Sequence, residues 1–209
     1  MRILCIGDSN TWGYDPMTGE QQKNRWTQIL MKLLSEDTII EEGLNGRTFA
    51  FDDPSNSERN GIKRLPTILK THQFVDLIIV MLGTNDLKTV FHATAADIAK
   101  CARTFIEIIN NPDFYNGSVP KTLLVSPVYI DDNVENVWLD PEFSVESAKE
   151  SHLLAEHLEV VAKDCGTAFM NAADYAEASK VDCVHMDGAN HQKFAQAIAD
   201  KIKTLKAEI

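Results

Sequence analysis

The chain has 209 residues, 44% of them hydrophobic, and a formal net charge of −11 at pH 7. That length and apolar content suit one domain spanning 1–209 with a full core, and the acidic balance argues against nucleic acid or anionic lipid as a partner, since both are held by clustered Lys and Arg. No apolar run approaches the ~18 to 20 residues that span a bilayer, and the first apolar stretch meets Gly7 too soon for a signal peptide, so a cytoplasmic location away from membranes is expected.

The first predicted strand covers Arg2–Ile6, a short apolar run that ends abruptly in Gly7-Asp8-Ser9-Asn10. A helix is predicted over Arg25–Leu34, then a strand over Thr38–Glu42 that runs into the polar turn Gly43-Leu44-Asn45-Gly46-Arg47. A long connection with Phe49, Phe51 and the turn-like Asp52-Asp53-Pro54-Ser55-Asn56 leads to a helix over Ile62–Thr71. The strand over Leu77–Leu82 ends in Gly83-Thr84-Asn85-Asp86, and a helix over Ala95–Asn110 and a strand over Thr122–Ser126 follow. A second long connection, 127–143, contains Tyr129, Trp138 and Asp140-Pro141. Beyond it lie a helix over Ser144–Lys163, a strand over Ala168–Asn171, the segment Asp182-Cys183-Val184-His185 and a last amphipathic helix over Ala189–Lys206.

Strand-length apolar runs alternating with longer helical ones indicate an α/β fold in three layers, a five-stranded parallel sheet covered on both faces. Right-handed crossovers leave few topologies, of which the flavodoxin-like order 2-1-3-4-5 is the simplest. A crevice at the carboxyl edge of such a sheet collects the three polar turns, and both long connections follow strands whose ends face it. Cys5, Cys101, Cys165 and Cys183 are scattered without C-x-x-C or zinc spacing and read as reduced thiols.

The crevice would hold every part that acyl transfer needs: a nucleophile, a base, a group to orient the base, and donors for an oxyanion. Ser9, at a strand-to-helix turn, is the candidate nucleophile, and its own N–H is one candidate donor. His185 is the candidate base, because a near-neutral imidazole can take the hydroxyl proton and return it to the leaving group. Asp182, three positions earlier, would hold the other ring nitrogen. Gly46 offers a backbone N–H with no side chain in the way, and Asn85 a neutral amide donor. Taken singly, each has an ordinary structural explanation: Gly-Asp-Ser is a common turn, Asn85-Asp86 can cap a helix, Gly46 can supply a positive φ, and a lone histidine such as His185 is more often a surface or packed residue than a base. Four such features in order at strand ends suggest a serine hydrolase.

Gly7-Asp8-Ser9, Gly46, Gly83-Thr84-Asn85-Asp86 and Asp182-Cys183-Val184-His185 resemble, in order, the four blocks of the SGNH or GDSL-type esterase and lipase superfamily, over nearly the whole chain. The resemblance maps the four name-giving residues to Ser9, Gly46, Asn85 and His185. Arg2-Ile3-Leu4-Cys5, Thr11-Trp12-Gly13, Glu41-Glu42-Gly43-Leu44, Arg47-Thr48, Asp52-Asp53-Pro54 and Met81-Leu82-Gly83-Thr84-Asn85-Asp86 are similar to the bacterial arylesterase and acyltransferase branch. That likeness implies short-chain ester substrates, acyl transfer to alcohols, and a homo-oligomer whose long loops make contacts.

Asn10 departs from the Leu or Ile usual in the first block, and Tyr14 from a second Trp in the branch. Trp12, with Asp8, is expected to border the substrate, and aromatic side chains of the long loops to narrow the entrance. Lys88 is expected to be solvated beside the site, and His191 to pack in the last helix. The serine mechanism calls for no cofactor, and the carboxylates of Asp8, Asp52, Asp53 and Asp86 lack metal spacing with histidine. Two other readings remain: a carbohydrate acetylesterase using the same machinery, and a non-catalytic flavodoxin-like module that binds an anion in the Gly7–Asn10 and Gly83–Asp86 turns.

Overall fold

The computed structural model describes residues 1–137 and 142–207. Trp138 and the Asp140-Pro141 step therefore lie outside the described residues. Strands β1 (Arg2–Gly7), β2 (Thr38–Gly43), β3 (Leu77–Met81), β4 (Lys121–Ser126) and β5 (Ala168–Asn171) form one parallel sheet in the order β2-β1-β3-β4-β5. This is the order expected from the sequence. The helices are α1 (Ser9–Trp12), α2 (Trp26–Leu33), α3 (Gly61–Thr71), α4 (Ala95–Ile109), α5 (Val145–Cys165) and α6 (Gly188–Ala207).

Side chains alternate across each strand, and this divides the core in two. Leu4, Ile6, Ile78, Val80 and Leu124 pack with α3, α4 and α5 on one face. Ile3, Cys5, Ile79, Met81, Leu123 and Val125 pack with α2 and α6 on the other. Strands buried on both faces read as unbroken apolar runs, which is why they are conspicuous in the sequence. Each fully buried Leu or Ile is worth ~1.5–3 kcal/mol of removed apolar surface, so the two clusters dominate the stability of the scaffold. Capping boxes at Thr94 and Ser144 start α4 and α5, and Gly166 in the left-handed conformation ends α5.

Phe49 belongs to this core and not to a pocket entrance: it is fully buried and meets Phe105 edge-on, with ring centroids 5.5 Å apart. Phe51 stacks on Phe91 at 5.2 Å. The connection between β2 and α3 is closed at its base, where Thr48 N–H donates to Arg59 C=O (2.9 Å) and Gly61 N–H to Thr48 C=O (3.0 Å). Gly7 pairs with Gly43 on one side and Met81 on the other, so β1, β2 and β3 end at one level. The turns that follow them are thereby brought side by side.

Candidate active site

Asp8 follows β1 and caps α1, its carboxylate accepting from Asn10 N–H at 2.9 Å. The helix is a single turn, closed by Gly13 in the left-handed conformation. It sits hard against the end of β2, where any Cβ on Gly43 would lie 2.4 Å from Trp12 N. Ser9 is the first residue of that turn, and no acceptor faces its N–H among the described residues. The first turn of a helix leaves such N–H groups free for a ligand.

Ser9 Oγ lies 2.8 Å from His185 Nε2, and His185 Nδ1 lies 2.6 Å from Asp182 Oδ2. The carboxylate accepts, so Nδ1 carries the ring proton and Nε2 is left as the acceptor for the serine hydroxyl. Asp182 is itself fully buried, and its Oδ1 accepts from Val184 N–H (3.1 Å) and His185 N–H (3.0 Å). The tight turn between the two puts Cys183 at φ +64°, an uncommon conformation for a non-glycine residue. Burial first, then the carboxylates of Asp131 and Asp182, push the Cys183 thiol pKa up, which keeps it a packed thiol with no reactive thiolate.

Gly46 has φ +81°, and among the described residues its N–H, like that of Ser9, has no internal acceptor. Arg59 fills the space a side chain would need there, donating from Nε to Asn45 C=O (3.1 Å) and from Nη1 to Asp53 (2.7 Å). Burial would raise the Asp53 pKa, but hydrogen bonds from Ser55 and Arg59 outweigh it and hold the group at about 2. Among the described residues Asn85 Nδ2 donates over long distances, 3.3 Å to Arg47 C=O and 3.4 Å to Asp8 Oδ2, which leaves it able to turn to a better acceptor.

Two carboxylates lie beneath these donors. Burial raises Asp8 to about 6, against the pull of Asn10 N–H, His185 and Arg47. Burial also raises Asp86 to about 8, despite both its oxygens accepting from Phe49 N–H. Through that contact Asp86 ties the Gly46 loop to the Asn85 loop.

A cleft of about 320 Å³ opens over Ser9 and His185. Gly46 and Asn85 line it, as the blocks suggest, and so do Tyr14, Asn45, Arg59, Lys88, Glu142, Phe143 and Val184. Trp12 does not: its backbone packs on Gly43, and Tyr14 stands at the site in its place, with its ring 4.5 Å from that of His185. Asp8 is buried below the cleft and touches Asn85 and Asn10, not the cavity. Lys88 is not solvated; it is 7% exposed and paired with Glu142 at 3.2 Å and Asp53 at 3.9 Å. His191 is buried, with Nδ1 accepting from Trp26 N–H, and burial lowers its pKa to about 4. A cavity of about 290 Å³ near Tyr129 and His152 shares no lining residue with the cleft.

Nothing in the sequence marks Arg59 or Glu142, since both reach the cleft only through the folding of their loops. Asn45 carries a signal, its place beside Gly46 in a turn after a strand. Among the described residues no three His, Cys, Asp or Glu side chains gather as a metal site, and no helix is long and apolar enough to cross a membrane.

No curated protein matches the chain in sequence. Among solved structures, the native M. smegmatis aryl esterase is 33% identical, with 98% of this chain and 99% of that one covered and a TM-score of 0.91. A carbohydrate acetylesterase family member from Sinorhizobium meliloti is 31% identical, with 97% of each chain covered and a TM-score of 0.90. A lipase/acylhydrolase from Enterococcus faecalis, 20% identical with 97% of this chain and 95% of that one covered, shares the fold at a TM-score of 0.68. Residues 5–193 match the profile of the GDSL-like Lipase/Acylhydrolase family, and the chain belongs to that family of ester hydrolases.

Proposed function

We propose that the protein is a serine esterase that cleaves short-chain acetyl or aryl esters through an acyl-enzyme, with Ser9 as nucleophile, His185 as base and Asp182 as its orienting partner. The single observation that carries this is the unbroken run of short hydrogen bonds from Asp182 Oδ2 through the imidazole to Ser9 Oγ. In the forward step His185 Nε2 takes the hydroxyl proton as Oγ bonds to the ester carbonyl carbon. The carbonyl oxygen, now anionic, meets the N–H groups of Ser9 and Gly46 and the Asn85 amide. Collapse breaks the ester C–O bond, and the imidazolium gives its proton to the departing alcohol. Water, or a second alcohol, then repeats the cycle on the acyl-enzyme and frees Ser9.

A cleft of about 320 Å³ is at the small end of ligand pockets and favours a short acyl group. The polar wall of Asn45, Arg59, Lys88 and Glu142 favours a second reading within the same chemistry, removal of acetyl from a sugar hydroxyl. The anion-binding module, by contrast, leaves the Asp182–His185 pair without a role. A single-domain, cytoplasmic homo-oligomer is the form expected of such an enzyme.

The test is hydrolysis of p-nitrophenyl acetate, butyrate and octanoate and of acetylated sugars, beside Ser9→Ala. Turnover that falls with chain length and vanishes in Ser9→Ala is expected, and activity that survives the substitution removes Ser9 from its role.

A further inference from the structure

Asn10, the residue after the serine, is buried and directs its side-chain amide at the loop that carries His185. Its Oδ1 accepts from Met186 N–H at 2.9 Å, and its Nδ2 donates to Val184 C=O at 3.3 Å. These are the two backbone groups immediately flanking His185. An N–H can only donate and a carbonyl only accept, so the pair of partners fixes which way the amide faces. Leu or Ile at this position could make neither bond. Met186 C=O is held in turn by Gln22 Nε2 at 3.0 Å.

Among the described residues no strand pairing links α1 to the loop of His185, and Ser9 and His185 are 176 positions apart in the chain. The Ser9–His185 hydrogen bond joins the tips of two rotatable side chains and cannot by itself set the distance between their backbones. Asn10 supplies that connection at the backbone level, from the same helical turn that holds Ser9 and with its own N–H anchored on Asp8. Resting on the assignment of Ser9 and His185 as nucleophile and base, we propose that Asn10 is a positioning residue, a two-point clamp that holds the imidazole in register with the serine hydroxyl. It touches neither the substrate nor the reacting atoms.

The test compares Asn10→Ala and Asn10→Leu, which remove both bonds, with Asn10→Asp, which keeps the acceptor for Met186 N–H. Steady-state hydrolysis of p-nitrophenyl acetate is measured on protein shown to be folded by circular dichroism. The expected result is a kcat lowered about 10- to 100-fold in the first two, KM within about twofold, and a smaller loss in Asn10→Asp, because misplacement near 1 Å suffices for such losses. A destabilised but otherwise unaffected enzyme, with kcat per folded molecule within about threefold of the parent, overturns the proposal. Amide hydrogen exchange on the unsubstituted protein gives a check that needs no variant: protection of Met186 N–H is expected, and exchange at the rate of an open loop overturns the clamp. Ser9→Ala run in parallel separates the two levels. Activity surviving in Ser9→Ala defeats the serine-esterase reading itself, whereas activity lost there but intact in Asn10→Ala defeats the clamp alone.

Discussion

Replacing Gly46 by alanine tests the oxyanion donor and the backbone that presents it together. A Cβ there would lie 2.3 Å from Arg59 Nε, 2.6 Å from Cζ and 2.7 Å from Cδ, where ordinary contact begins at 3.4 Å. The guanidinium must therefore withdraw by about 1 Å or the Gly46 turn must tilt away from it. Withdrawal weakens the bonds from Arg59 to Asn45 C=O and to the buried Asp53 carboxylate. The left-handed conformation costs a non-glycine residue ~1–2 kcal/mol, and a weakened hydrogen bond to a charged group costs a similar amount, so a loss of roughly 2–4 kcal/mol in stability is expected. If the turn tilts, the Gly46 N–H leaves the position where the carbonyl oxygen develops its charge. Loss of one such donor lowers kcat by about 100- to 1,000-fold. Urea unfolding reads the first effect and hydrolysis of p-nitrophenyl acetate the second, with Asn85→Ala as the reference for a lost donor. A Gly46→Ala enzyme as stable as the parent and turning over within about threefold of it would refute the reasoning, since neither the withdrawal of Arg59 nor the tilt of the turn would then have occurred.

Asp182→Asn places an amide N–H where Oδ2 now faces His185 Nδ1, which drives the ring proton to Nε2 and leaves no acceptor for Ser9; a fall of ~10⁴ in kcat/KM near neutral pH is expected, and a loss under about tenfold would show that Ser9 and His185 suffice as a pair. Asp86 sits at about 8 in the fold, raised by burial, against 3.8 for an ordinary aspartate, so the native state keeps a proton that the unfolded chain gives up. Its contribution to stability therefore falls as pH rises between those values, by about 1.4 kcal/mol per pH unit, and levels off above. Asp86→Asn should gain on the parent from pH 5 to pH 9 in urea unfolding; a difference that does not change with pH would mean that Asp86 is ionised in the native protein.

The sheet was legible because strands covered on both faces must be apolar throughout, as Leu77–Met81 is, and their ends show as sudden polar turns. Helix α1 was not, because four residues hold too little periodicity to register; it is made by its ends, the Asp8 cap and the reversal at Gly13. That reversal is also why Trp12 does not border the cleft as expected, since it turns the chain back so that Tyr14, and not Trp12, meets His185. The burial of Lys88 was invisible for a different reason. Its partners Asp53 and Glu142 arrive from two separate loops, and charge pairs made by tertiary folding leave no local pattern. Ser9, Asp182 and His185 could be singled out because their types are themselves the requirement of the chemistry and each stands in a short local motif, whereas Arg59 supports Gly46 only through a loop closed on itself at Thr48 and Gly61.

With Ser9 and His185 as the proposed nucleophile and base, the 176 positions between them also bear on when the site is complete. During synthesis Ser9 emerges early, whereas His185, its proposed base, follows only with the last loop. A chain with β1, β2 and β3 already paired holds the proposed nucleophile and both proposed loop donors, yet lacks the proposed base. Long-range closures of this kind are costly in loop entropy and tend to come late. On the proposed assignment, ester turnover requires the two ends of the chain to have met.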